Sequence, residues 1–150
     1  MAEEKTAQPA FALQRIYLKD CSLEVPGAPD IFRTNWKPEV KVDLDTTTAR
    51  VEGESTLHEV VLHVTVTVSL ENKTAFLIEV KQGGIFMLDN LSDDQVEHAT
   101  HTVCPEILFP YAREAVSDLV TKASFPQLLL SPINFEALYM QKKQKADSEA

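Results

Sequence analysis

The chain has 150 residues, 44% hydrophobic and 25% charged, which is typical of one soluble globular domain. Its net charge of −9 would repel phosphate backbones, so it argues against nucleic-acid binding and favours a basic protein partner or client. No apolar run approaches the roughly 20 residues that span a bilayer, and the polar start of the chain resembles no signal peptide. We therefore expect a cytoplasmic protein without direct membrane insertion, whose Cys21 and Cys104 are free, buried thiols.

The first predicted element is a strand over residues 10–25, after a polar segment, 1–9, that we expect to be disordered. Its apolar positions change phase twice, from odd to even numbers and back to odd. Such changes predict β-bulges, or a strand whose second face is covered by an oligomer interface. The apolar residues are, in order, Phe11, Leu13, Ile16, Leu18, Cys21, Leu23 and Val25.

A long loop is predicted over residues 26–38, because this stretch contains three prolines and a glycine. Ile31, Phe32 and the single tryptophan, Trp36, lie in it. These side chains either attach the loop to the core or form the wall of a ligand groove, and the two roles are compatible.

Three further strands are indicated by alternating apolar residues at 40–44, 60–70 and 76–80. Glu71-Asn72-Lys73 predicts a hairpin between the last two, and Gly83-Gly84 is expected to end the regular pattern. Polar residues on the intervening positions are typical of an antiparallel sheet with one buried face.

Helices are predicted in the remainder of the chain. Ser92 and Gln95 form a capping-box pattern, and Pro105 fits the first turn of a second helix that would bend at Pro110. A short last helix begins at Asn134 as its cap. The order of elements predicts an α+β fold, with a single domain at 10–140 and a polar, flexible tail at 141–150.

One cluster of reactive side chains is a candidate metal or catalytic site. His98, His101 and Cys104 have a spacing of three and could bind zinc or act as a thiol nucleophile with its base, but a fourth ligand and an orienting residue are missing. Packed or surface histidines and a buried thiol are the simpler interpretation. There is also no glycine-rich nucleotide loop, so we expect no cofactor.

Acidic residues suggest a docking surface. Asp20 and Glu24 are both even-numbered, so they would project from the same face of the first strand, and Glu79 lies on the solvent side of the last strand. An acidic sheet face would suit a basic partner, although scattered surface acids are more often simply solvated.

Several strings in the same order make the chain resemble the SecB family of protein-export chaperones over about residues 11–140. They are QRIYLKD (14–20), WKPEVK (36–41), QGGIF (82–86), LFPYARE (108–114) and FPQL (125–128). The resemblance implies a four-stranded antiparallel sheet with helices packed on one face, assembled as a homotetramer that is a dimer of dimers. The first strand and the long helix would make the subunit contacts.

The resemblance also implies a function. The chain would be a holdase, not an enzyme, that keeps unfolded precursor proteins translocation-competent without ATP and delivers them to SecA, the translocase motor. In the family, SecA docks on the flat sheet face, and the matching positions here are Asp20, Glu24, Leu77 and Glu79. The chain departs from the family pattern at His101 and in its short, lysine-bearing tail, so the contacts made there are left open.

The predicted client groove combines the long loop, the second strand and the last helix. Its candidate residues are Phe32, Trp36, Val40, Val42, Leu44, Leu138 and Tyr139. Two alternatives remain: a small metal- or thiol-dependent enzyme using His98, His101 and Cys104, and a purely structural oligomerisation module.

Overall fold

The computed structural model describes residues 8–149, so most of the N-terminal segment expected to be disordered lies outside the described residues. Four strands come first: β1 (Ala10–Glu24), β2 (Glu39–Arg50), β3 (Leu57–Leu70) and β4 (Lys73–Asp89). Three helices follow: α1 (Asp93–His101), α2 (Val103–Lys122) and α3 (Phe135–Glu149). A short 3-10 helix, Asp30–Arg33, interrupts the long loop. The predicted α+β fold is confirmed. None of the described helices is long and apolar enough to cross a membrane.

The strands form one antiparallel sheet in the order β1-β4-β3-β2. Even-numbered residues of β3 and β4 point to one side, here called the helix face, where they form the core with α2. The opposite side, the open face, carries the odd-numbered, mostly polar residues of β3. The largest fully buried core side chains include Phe76, Phe86, Leu62, Leu70, Ile78 and Leu108.

Both phase changes in β1 are β-bulges, the first of the two predicted alternatives. The pairing of β1 with β4 shifts between Leu13 and Arg15, and again between Leu18 and Asp20. Because each extra residue reverses the alternation, the apolar residues of β1 stay on the helix face along the whole strand. The bulges alone therefore account for the double phase change.

Gly83-Gly84 does not end the strand, and this prediction was wrong. β4 continues to Asp89, and each glycine makes room for an aromatic ring on one side of the sheet. A Cβ at Gly83 would lie 2.6 Å from the Tyr17 ring on the open face. One at Gly84 would lie 2.8 Å from the Phe86 ring on the helix face. The glycines are thus required by side chains that pack over them.

The predicted hairpin joins β3 to β4 through Glu71 and Asn72, while Lys73 is already the first residue of β4. Both connecting residues have positive φ values, 50° and 66°. Two left-handed residues match the right-handed twist of the flanking strands, which explains the tight connection.

The helix starts are close to those predicted. Ser92 and Gln95 form the reciprocal capping box of α1, and the Asn134 side chain accepts a hydrogen bond from the Ala137 backbone N–H at the start of α3. Pro105 lies in the first turn of α2, which continues past Pro110.

The last helix is longer than the short helix predicted. Residues 141–149, assigned to a polar, flexible tail, continue α3, and their flexibility stays a prediction. The stretch is rich in lysine and glutamine, which have high helix propensities, and it contains no glycine or proline. Its side chains are exposed where the structure describes them.

Candidate functional sites

The first site is an apolar groove between β2 and α3. Val42 and Leu44 from the helix face of β2 meet Leu138 of α3 and Ile133 of the preceding loop around a space of about 430 Å³. Leu44 and Leu138 also line a narrower cleft beside it, together with Tyr139. Three of the predicted residues, Val42, Leu44 and Leu138, therefore line one groove, and Tyr139 extends it.

Aromatic residues of the long loop form a second cluster. The rings of Phe32 and Trp36 lie 5.1 and 5.8 Å from the ring of Phe125, which in turn lies 4.9 Å from Phe76 in the core. Ile31 is buried and attaches the loop. Phe32 remains 48% exposed and Trp36 39%, so this packing leaves much of both rings open to solvent.

The edge strand β2 carries two further exposed apolar side chains. Val40 and Val42 point to the helix face and are 44% and 37% exposed, because they lie at the edge of the core that α2 covers. They lie on the same side of the sheet as the loop aromatics, which pack through Phe125 against Phe76 on the helix face. We call the seven predicted residues the client groove. Four of them line the two adjoining spaces beside α3, and Phe32, Trp36 and Val40 line neither of these two spaces.

Several walls of the groove were not predicted. Phe125 supports the loop aromatics, and Pro132, Ile133 and Ala137 line the space beside Leu138. The largely apolar stretch from 125 to 135, which contains two prolines, was the available signal, but its position against β2 is set by long-range packing.

The two histidines of α1, His98 and His101, mainly contact α3. His98 Nε2 lies 2.7 Å from a carboxylate oxygen of Glu136, and the rings of His98 and His101 lie 5.5 and 5.9 Å from the ring of Tyr139. These contacts hold the first turns of α3 beside the groove. Within residues 8–149, no group of three or more His, Cys, Asp or Glu side chains is arranged to hold a metal.

The two cysteines differ from each other. Both thiols are free, but only Cys104 is buried, and the expectation of a buried Cys21 was wrong, because β1 is an edge strand. Burial raises the pKa of the Cys104 thiol to about 12, which keeps it protonated at neutral pH. A protonated, enclosed thiol is a poor nucleophile.

The second site lies on the open face, where strand register brings the predicted docking residues together. Glu24 pairs with Leu77, Ser22 with Glu79, and Asp20 with Lys81. Directly paired residues in an antiparallel sheet point to the same side, so Asp20, Glu24, Leu77 and Glu79 share one surface. We call these four residues the acidic patch. Leu77 is half-buried and the carboxylates are exposed.

A polar cluster beside the acidic patch was not predicted. The Tyr17 hydroxyl donates a hydrogen bond to Glu59, and Lys19 Nζ lies 2.7 Å from the other oxygen of that carboxylate. Hydrogen bonds from Lys19 and Tyr17 lower the pKa of Glu59. Desolvation and the Glu59 carboxylate raise the pKa of Tyr17, so the phenol stays protonated and continues to donate.

The family model described as preprotein translocase subunit SecB matches residues 4–146 of the chain. The chain belongs to the SecB family. Family membership points to a chaperone of protein export, a non-enzyme kind of protein.

Solved structures support the SecB fold. A SecB-like chaperone of Mycobacterium tuberculosis, in complex with a ChAD peptide from the HigA1 antitoxin, matches with a TM-score of 0.70 at 16% identity. The match covers 83% of this chain and 91% of that one. A Streptococcus agalactiae protein of unknown function matches with a TM-score of 0.41 at 12% identity, over 83% of this chain and 99% of that one. The first match shows the shared fold, and the second is too distant to add to it.

Proposed function

We propose that this SecB-family protein is an ATP-independent holdase that binds unfolded precursor proteins in the client groove and delivers them to SecA. The observation that carries the proposal is the exposure of four apolar side chains on one side of the sheet: Phe32, Trp36, Val40 and Val42. An acidic chain with a net charge of −9 stays soluble while it exposes such a surface. Because apolar burial has no direction, the groove would accept many sequences.

Simple energetics indicate how the groove would work. Burying roughly 200 Å² of apolar client surface gains about 5 kcal/mol at about 25 cal/mol per Å², before the cost of ordering the client. One groove would therefore bind weakly. Several grooves on one assembly would bind a long client more tightly, because the second contact is intramolecular.

A homotetramer would supply these grooves. Phe11, Leu13 and Leu18 of the edge strand β1 are 43%, 42% and 49% exposed, and all three lie on the helix face. This row supports assembly through β1, which is the first step of a dimer of dimers. The peptide bound by the Mycobacterium tuberculosis relative supports a polypeptide as the ligand.

We assign the docking of SecA, which receives the client, to the acidic patch. It lies on the open face, away from the client groove on the helix face, so client and SecA could be bound together. In the cytoplasm, SecA would remove the client by competition, without a nucleotide switch in the chaperone. The electrostatic part of this docking would weaken as salt is raised.

The two sites can be separated by mutation. Trp36→Ala should weaken binding of an unfolded client about tenfold and leave SecA affinity unchanged, whereas Asp20→Ala with Glu79→Ala should do the reverse. Both affinities are measured by fluorescence anisotropy. Leu129→Ala, an exposed apolar residue outside the groove, and Glu52→Ala with Glu54→Ala in the β2–β3 turn are the matched controls.

The outcomes decide each site independently. Equal client affinity in wild type and Trp36→Ala would remove the loop aromatics from the client groove. Unchanged SecA affinity in Asp20→Ala/Glu79→Ala would remove the docking role of the acidic patch.

A further inference from the structure

We infer that Tyr17, Lys19 and Glu59 are positioning residues for partner docking: they hold the second β1 bulge, and this bulge places Asp20 and Glu24 on the open face. The inference rests on the proposed docking of SecA at the acidic patch. The new element is that the position of the acidic patch depends on three side chains that are not part of it.

The first step is the effect of the bulge on strand phase. Ile16 and Leu18 pair with Gly84 and Gln82 on the helix face. In a regular strand, Asp20 would follow Leu18 onto that same face, since side chains alternate with a period of two. Instead Asp20 pairs with Lys81 on the open face, because Lys19 is the extra residue.

The same shift places Cys21 and Leu23 opposite Val80 and Ile78 on the helix face, and Leu23 packs against the core. Without the bulge, Asp20 and Glu24 would point towards the helix face, away from Glu79. The acidic patch therefore exists only while the extra residue stays at this point in β1.

The second step is what holds the bulge on the open face. Tyr17 and Lys19 precede Asp20, and both bind the Glu59 carboxylate, whose strand β3 is separated from β1 by β4. Tyr17 can reach across β4 because Gly83 has no side chain beneath its ring. These contacts thus attach the bulged segment to β3, two strands away. They do not depend on the ladder hydrogen bonds that the bulge interrupts.

The helix face contributes one further bond at the same place. The Gln82 side chain is buried, and its Nε2 donates a hydrogen bond to the Tyr17 backbone carbonyl at 3.1 Å. The segment next to the bulge is therefore held from both sides of the sheet. A bulge held this way has one register, which keeps the two β1 carboxylates at fixed positions opposite Leu77 and beside Glu79.

The test compares Tyr17→Phe and Glu59→Gln with wild type in the full chain. Tyr17→Phe keeps the ring over Gly83 and every charge, and removes only the hydroxyl bond. We expect amide hydrogen exchange in the segment 18–22 to accelerate roughly three- to tenfold, the usual range for one lost hydrogen bond. SecA affinity should fall by a similar factor, while client affinity should not change.

Two further variants distinguish positioning from direct contact. Lys19→Ala should behave as Tyr17→Phe does, and Lys19→Arg should restore SecA affinity, since Arg keeps the ion pair with Glu59. Thr47→Val is the matched control, because it removes another hydroxyl bond on the open face, the one between Thr47 and His63. It should change neither exchange nor affinity.

Unchanged exchange in both Tyr17→Phe and Glu59→Gln would overturn the inference. So would faster exchange with unchanged SecA affinity, provided that Asp20→Ala/Glu79→Ala still loses binding; the proposed docking would then survive alone. If wild type itself does not bind SecA, the proposed function fails at this site and the docking inference fails with it.

Discussion

Gly84 shows how a single atom at one residue can decide the packing of the core. An added Cβ would lie 2.8 Å from the Phe86 ring and 3.0 Å from a methyl group of Leu108, both of which are fully buried. Neither side chain has space to move away, so Gly84→Ala should lower the free energy of unfolding by about 1–3 kcal/mol. Urea unfolding at one protomer concentration measures this loss.

Gly83→Ala is the matched comparison for this prediction. There the added Cβ would meet the half-buried Tyr17 ring, which can swing towards solvent, so the loss should be smaller than at Gly84. A larger loss at Gly83 would contradict this account of the two faces.

Cys104 provides a prediction that depends on pH. Its pKa is about 12 in the folded chain against 9.0 for the free side chain, because burial disfavours the thiolate. The protonated thiol therefore contributes its full stabilisation of the folded chain below about pH 9. This contribution to the free energy of unfolding is lost as the pH rises towards 12. In a Cys21→Ser variant, Cys104 should not react with a thiol reagent at pH 8 until urea unfolds the chain. Rapid labelling of the folded variant would contradict the burial.

At the scale of elements, α3 depends on one buried anchor. Phe135 is buried, and its ring lies 5.9 Å from that of Phe109 on α2, whereas the later residues of α3 are mostly exposed. Phe135→Ala should release α3, because large aromatic truncations cost about 3–5 kcal/mol and the next apolar contacts of α3, at Leu138 and Tyr139, are only partly buried. The client groove would then lose Leu138 and Tyr139.

Hydrogen exchange of residues 135–145 and client affinity measure this release together. Met140→Ala, 45% exposed on the same helix, is the control and should change neither. Unchanged exchange in Phe135→Ala would show that exposed contacts such as His98–Glu136 suffice to hold α3.

The elements also show what could be predicted from the sequence. The bulges of β1 were predictable, because local alternation records which face each residue occupies. The continuation of β4 through Gly83-Gly84 was not, since the cause is Tyr17 on another strand and Leu108 on a helix. The helical tail could have been predicted from its propensities. The place of Phe125 under Phe32 and Trp36 depends on how a loop folds back, which local patterns do not record.

At the scale of the whole molecule, the proposed client and SecA sites lie on opposite sides of the sheet. The helix face combines the core with exposed apolar side chains, and the open face carries the acidic patch. The residues of the acidic patch were predicted from the family resemblance. Only the register of β1 against β4 shows that they form one surface. In the proposed tetramer, a second copy of the chain would contact the exposed apolar residues of β1.

The most direct measurement is to size the full chain by light scattering coupled to gel filtration, alone and with a reduced, carboxymethylated protein that stays unfolded in buffer. No nucleotide is added, and the same protein in its folded form is the control. We expect a stable complex of larger mass with the unfolded protein and none with the folded one. Separate elution of the unfolded protein and the chain, at micromolar concentrations of both, would contradict it.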